Sequence, residues 1–200
     1  MASSRRIKNE VLAILAGGGE VDERLAGYRE EELIHPLFSA LCHADETRRL
    51  RAALASGRVV ARLAARDMEA ARVVMRRLLW SLNDESGGIG WGAPEAMAAV
   101  IAESRALADE YLHMLVSYLK EDGEELCQDG NFLELPALQC GLLWGIGHIA
   151  PRYRERLLAM GVAGELEKYL SSPDKKVVES ALSCYAQLGL AAPAPPPAAR

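Results

Sequence analysis

Aromatic side chains make up only 6% of this 200-residue chain, and two of them are phenylalanine. Aromatic and β-branched clusters, and the apolar–polar alternation of a half-buried strand, are almost absent, which argues against a β-sandwich or barrel. Cysteine is scarce too. Cys42, Cys127, Cys140 and Cys184 never fall in a C-x-x-C pair, the spacing that a zinc site or dithiol redox centre usually needs, so reduced, buried thiols are expected. His35, Cys42 and His43 share helical spacing but supply too few ligands for a metal, and no metal or other cofactor is expected. No apolar run approaches the roughly 20 residues that cross a bilayer. The stretch from Val11 to Ala16 stops at Gly17-Gly18-Gly19, short of a signal-peptide core. A soluble, cytoplasmic protein with no membrane partner is the expectation. Ser-His-Asp order, H-E-x-x-H, a P-loop and a paired-carboxylate signature are all missing, and neither Asp129 nor Glu134 stands out as a general acid or base. No catalytic residue emerges.

What the sequence does contain is helical spacing. Half of the residues are apolar, enough for a sizeable core. Between Asp67 and Leu82, Met68, Ala71, Val74, Met75, Leu78, Leu79 and Leu82 recur at threes and fours, with arginines between them. Further helices are predicted from Ser4 to Ala16, Glu31 to Cys42, Leu107 to Lys120 and Ala163 to Leu170. Breakers fall at Gly17 to Gly19, Asn83 to Gly92, Gly123 to Asn131, Gly161 to Gly164 and Ser171 to Pro173. The ending AAPAPPPAAR cannot continue a helix, so a single domain over 1–190 is expected, followed by a disordered Pro/Ala-rich tail over 191–200.

One pattern recurs four times: a turn, then a helix with small or apolar residues at relative positions 0, 4, 7, 8, 9 and 11. The copies begin at Arg48, Ile89, Leu138 and Val177, with starts 41, 49 and 39 residues apart, near the roughly 40 to 47 residues of two-helix solenoid repeats. Small residues at positions 4 and 7 let helix axes approach closely, while the preceding helix of each unit supplies larger side chains. The segment SSPDKKVVESALSCYAQLG resembles the second helix of a HEAT repeat, and LLAMGVAGELEKYLSSPDKKV is similar to an armadillo unit. The likeness runs from about Glu30 to Leu190 and is nearest to the HEAT-like repeats named after phycobilisome lyases. It implies an all-α, right-handed solenoid of about four two-helix repeats after an N-terminal helix. Helices starting near Arg48, Ala93, Ala137 and Lys176 would line its concave face. It further implies a non-catalytic scaffold that binds another protein; the alternatives in such families are a chromophore-handling enzyme of the bilin-lyase kind and a DNA glycosylase. Nucleic acid is disfavoured by the net charge of −5.

Three places could carry recognition. The stretch SLNDESGGIGWGAPEAM matches G-x-G-x-x-A from Gly88 to Ala93, but it follows a helix rather than the strand that a dinucleotide site requires. In the repeat register it replaces the first turn of a second helix. Either it connects helices with Trp91 folded onto the seam, or it presents Trp91 to a partner with Asn83, Asp84 and Glu85 beside it. Trp144 and His148 are four residues apart on one helical face, flanked by Gly141 and Gly145; that placement suits core packing or a concave-face site. Charge is bipolar: Arg48 to Arg77 holds nine arginines against two acids, whereas the rest holds 14 basic and 26 acidic residues. Arg48, Arg51, Arg58, Arg62 and Arg66 form one helical stripe. It either contacts solvent and neighbouring acids or, through Arg58 and Arg62, meets an acidic partner.

Overall fold

The structure is a computed structural model that describes residues 4–17, 19–83, 90–121 and 131–193. Among these residues every regular element is helical. The helices are α1 (Ser4–Ala16), α2 (Val21–Leu25), α3 (Glu30–Leu41), α4 (Glu46–Arg66), α5 (Met68–Leu82), α6 (Ala93–Glu103), α7 (Arg105–Ser117), α8 (Pro136–Ala159), α9 (Val162–Leu166) and α10 (Lys175–Gln187). The contacts of the chain group it into two compact units, Met1–Glu110 and Tyr111–Arg200.

In the first unit, aspartates punctuate the chain. Asp45 accepts a hydrogen bond from the Arg48 N–H at 3.1 Å and starts α4. Asp67, extended at φ −145° and ψ 91°, ends α4 and caps α5 through the Ala70 N–H at 3.0 Å. Each cap satisfies an amide that a helix start leaves without an intrahelical partner. α4 packs against α3, α5 and α6. Its inner face is built from small residues, and a methyl group added to Gly57 would lie 2.6 Å from the Ala99 carbonyl oxygen of α6. Only a residue without a side chain permits that crossing. The Ser56 hydroxyl in the same face donates to the Ala52 carbonyl at 2.8 Å, so burial leaves it no unmet donor.

In the second unit, α8 packs along α10. α8 bends at Tyr153 (φ −124°, ψ 18°), two residues after Pro151, whose ring and missing N–H disturb the helical ladder. α9 runs directly into a 3₁₀ turn at Glu167–Ser171. The Tyr185 hydroxyl donates to the Ala163 carbonyl at 3.1 Å and ties α10 to α9. Leu142, Ile146, Ile149, Ala181 and Cys184 form the buried seam.

The repeat register holds. Positions 4, 7, 8 and 11 are buried in all four copies, from Ala52, Ala55, Ser56 and Val59 to Ala181, Cys184, Tyr185 and Leu188. Position 9 is buried as Gly57, Ala98 and Gly147 but exposed as Ala186 on α10. Three expectations shift. The short α2 forms just after the break at Gly17 to Gly19, where no helix is expected, the helix expected from Leu107 to Lys120 runs from Arg105 to Ser117, and the one expected from Ala163 to Leu170 divides into α9 and the 3₁₀ turn. Of the expected tail over 191–200, residues 194–200 lie outside the described residues.

Candidate functional site

Of the three expected recognition elements, Trp144 and His148 are the pair that the structure joins into a cleft. One helical turn apart on α8, their rings stack with centroids 4.8 Å apart and planes 11° from parallel. The cleft they border holds about 280 Å³ and is lined by Leu143, Gly147 and Pro151 of α8 and by Ser183, Cys184 and Gln187 of α10. Trp144 is half-buried and His148 exposed. A methyl group at Gly147 would make ordinary contact with the Gln187 side chain at 3.5 Å. Burial pushes the Cys184 thiol up to about 12, so it stays protonated at neutral pH and is no nucleophile. What remains is a stacking surface flanked by hydrogen-bonding side chains.

The glycine stretch is described from Gly90 onward; Asp84 and Glu85 lie outside the described residues. Asn83 closes α5, its N–H donating to the carbonyls of Leu79 at 3.2 Å and Trp80 at 3.1 Å. Gly90 sits so close to α5 that an added methyl group would be 2.7 Å from the Ser81 carbonyl oxygen. Gly92 adopts the left-handed conformation (φ 71°) and lies against Leu41 of α3 at 3.0 Å by the same measure. Pro94 then occupies the first turn of α6, where its missing N–H costs nothing. Gly90 and Gly92 thus serve close packing, and Trp91 between them is half-buried.

The arginine stripe meets carboxylates of its own unit. Arg58 pairs with Asp22 at 2.7 Å and Glu103 at 3.8 Å, and Arg62 with Glu30 at 3.2 Å. Arg66 reaches Glu30 and Glu31. A backbone amide at the start of α3, then Arg62 and Arg66, hold the Glu30 carboxyl below its usual range against the opposing effect of burial. Arg51 instead donates to the carbonyls of Leu15 and Gly17, at 3.1 and 3.0 Å, and anchors the end of α1. Among the described residues no three His, Cys, Asp or Glu side chains converge as a metal site would need. No helix among them is long and apolar enough to cross a membrane.

A second concavity, in the first unit, was not anticipated. Phe38 of α3 and Val73, Arg76, Arg77, Trp80 and Ser81 line a groove of about 550 Å³. Trp80 is 76% exposed and Val73 45%. The helical pattern of α5 contains the signal, because Val73 and Trp80 fall on the arginine side of the helix, away from Val74 and Leu78.

No family model and no curated protein matches the chain. Solved structures do. One engineered protein aligns with a TM-score of 0.53 at 17% identity, covering 94% of this chain and 74% of that one. A second engineered protein gives 0.52 at 16% identity, covering 94% and 76%. A designed armadillo repeat protein in complex with the peptide (KR)4 gives 0.48 at 17% identity, covering 94% and 87%. The chain has an all-α, helical-repeat fold of the solenoid class.

Proposed function

We propose that the chain is a cytoplasmic, non-catalytic scaffold that binds another protein, and that the cleft between α8 and α10 holds an extended segment of that partner. The observation that carries this reading is the Trp144–His148 stack on the wall of a cleft with Ser183 and Gln187 opposite. A half-buried tryptophan gives a large contact area for little lost side-chain freedom, and tryptophan is among the residues that most often dominate binding energy. Hydroxyl, amide and imidazole groups beside it can pair with the main chain of an extended peptide.

The test is capture from native cell extract by the full chain, followed by affinity measurement on the captured protein. Trp144→Ala is expected to weaken binding by about 2 kcal/mol or more. His148→Ala removes the stacked ring from an exposed position and should weaken binding without lowering the melting temperature. A partner held equally by wild type and both variants would refute the cleft. Visible absorbance in the purified protein would point to chromophore handling instead.

A further inference from the structure

From Arg48 to Arg76 every arginine meets a carboxylate or a backbone carbonyl, the furthest along being Arg72 with Glu110 at 2.6 Å and Arg76 with Glu69 at 2.6 Å. Among the described residues Arg77 differs. Its guanidinium lies 4.6 Å over the Phe38 ring and meets no carboxylate. It does so inside the groove of the first unit, between Val73 and Trp80, two of the four large apolar side chains that are exposed among the described residues. A guanidinium resting on an aromatic face keeps its in-plane N–H donors, a fork that fits a carboxylate. Apolar surface and an unmatched cation at one place call for an occupant that brings both an apolar side chain and an acid.

We infer that the groove between α3 and α5 is a docking site for an acidic, amphipathic helix of a partner protein. One apolar side chain sits among Phe38, Val73 and Trp80, and a neighbouring carboxylate pairs with Arg77. Val73 and Trp80 lie two helical turns apart, so anchors at i and i+7 on an incoming helix running alongside α5 can reach both. Charge decides the occupant: a basic helix would face Arg76 and Arg77 together. The site belongs to the first unit and stands or falls independently of the cleft between α8 and α10.

The probe is a displayed library of 15-residue peptides selected against the full-length chain. The expected winners carry Asp or Glu beside Leu, Phe or Trp at helical spacing. Their affinity should fall about thirtyfold or more in Trp80→Ala and at least tenfold in Arg77→Gln, while Trp144→Ala leaves it unchanged. Trp80 is 76% exposed, so Trp80→Ala should keep the wild-type melting temperature. Selection against Arg77→Glu should no longer enrich acidic peptides. The inference is overturned if nothing is enriched, if winners lack acids, if Trp80→Ala and Arg77→Gln bind them normally, or if Trp144→Ala alone abolishes binding. Wild-type self-association that Trp80→Ala removes would also overturn it, assigning the groove to a second copy of the chain.

Discussion

Gly57 shows how a single hydrogen atom sets a helix crossing. Alanine is the better helix former by about 1 kcal/mol, yet its methyl group would lie 2.6 Å from the Ala99 carbonyl oxygen, a backbone atom fixed within α6. Overpacking of that kind costs about 1 to 3 kcal/mol, so the clash outweighs the propensity, and Gly57→Ala should lower the unfolding free energy in a urea titration. An unchanged midpoint would mean that α4 and α6 pack less closely than described. Glu95, in the first turn of α6, is largely buried with one carboxylate oxygen that finds no hydrogen-bond partner, and burial lifts its carboxyl above the ordinary 4.5. Its own backbone amide and Arg49 oppose the shift without cancelling it. The folded state then holds a proton that the unfolded chain has released, so stability falls as pH rises from about 4.5 through the raised value. Glu95→Gln should raise the melting temperature at pH 7 and leave it unchanged at pH 4. A thermal scan across that range that finds no gain at neutral pH would count against the buried carboxylate.

At the scale of the element, the repeat register makes a paired prediction on α10. Ala181, at position 4, is fully buried, whereas Ala186, at position 9, is exposed. Ala181→Arg should unfold the second unit or lower its stability by more than about 4 kcal/mol, because the charge has nowhere to go but the seam. Ala186→Arg, five residues on, should stay within about 0.5 kcal/mol of wild type. Circular dichroism melts of the two variants test the register directly. That register was legible because helix crossings demand small residues, a demand that Ala52, Ala55, Ala96 and Ala181 satisfy in plain view. Asp45, Asp67 and Asp174, which cap α4, α5 and α10, were not singled out from the turns that precede those helices. α2 was not legible either, since five residues between glycines carry too little periodicity to separate from a turn. The groove at Trp80 escaped for another reason: a pattern within one helix says which side is polar but not that Phe38 of a different helix stands across from it. The pairing of Trp144 and His148 was visible in their spacing, while Ser183 and Gln187, which complete the cleft, come from a helix some forty residues away.

Across the whole molecule, carboxylates held by arginine should govern acid stability. Arg72 grips Glu110 with two hydrogen bonds, at 2.8 and 2.6 Å, and holds it below the usual carboxylate range. Glu10 and Glu69 are lowered by Arg6 and Arg76 respectively. A carboxyl depressed in the folded state stabilises above its unfolded value near 4.5 and loses that contribution as pH falls through the folded value. The melting temperature should therefore drop steeply below about pH 4.5, and Glu110→Gln should flatten part of that limb. Because both side chains of the Arg72–Glu110 pair are 36% exposed, solvent screening keeps its contribution at neutral pH small. The same pairing has a consequence at long range. A paired arginine and carboxylate form a short dipole whose field dies away within a few ångströms, and beyond a Debye length of about 8 Å only unpaired charge is felt. Six of the nine arginines from Arg48 to Arg77 are paired with carboxylates in this way, so most of the stripe is silent in the far field, and an approaching molecule meets a weakly acidic body of net charge −5. Cationic partners are drawn toward such a body and polyphosphates are turned away, so Arg77 can select an acidic helix only after diffusion has already delivered it to the groove.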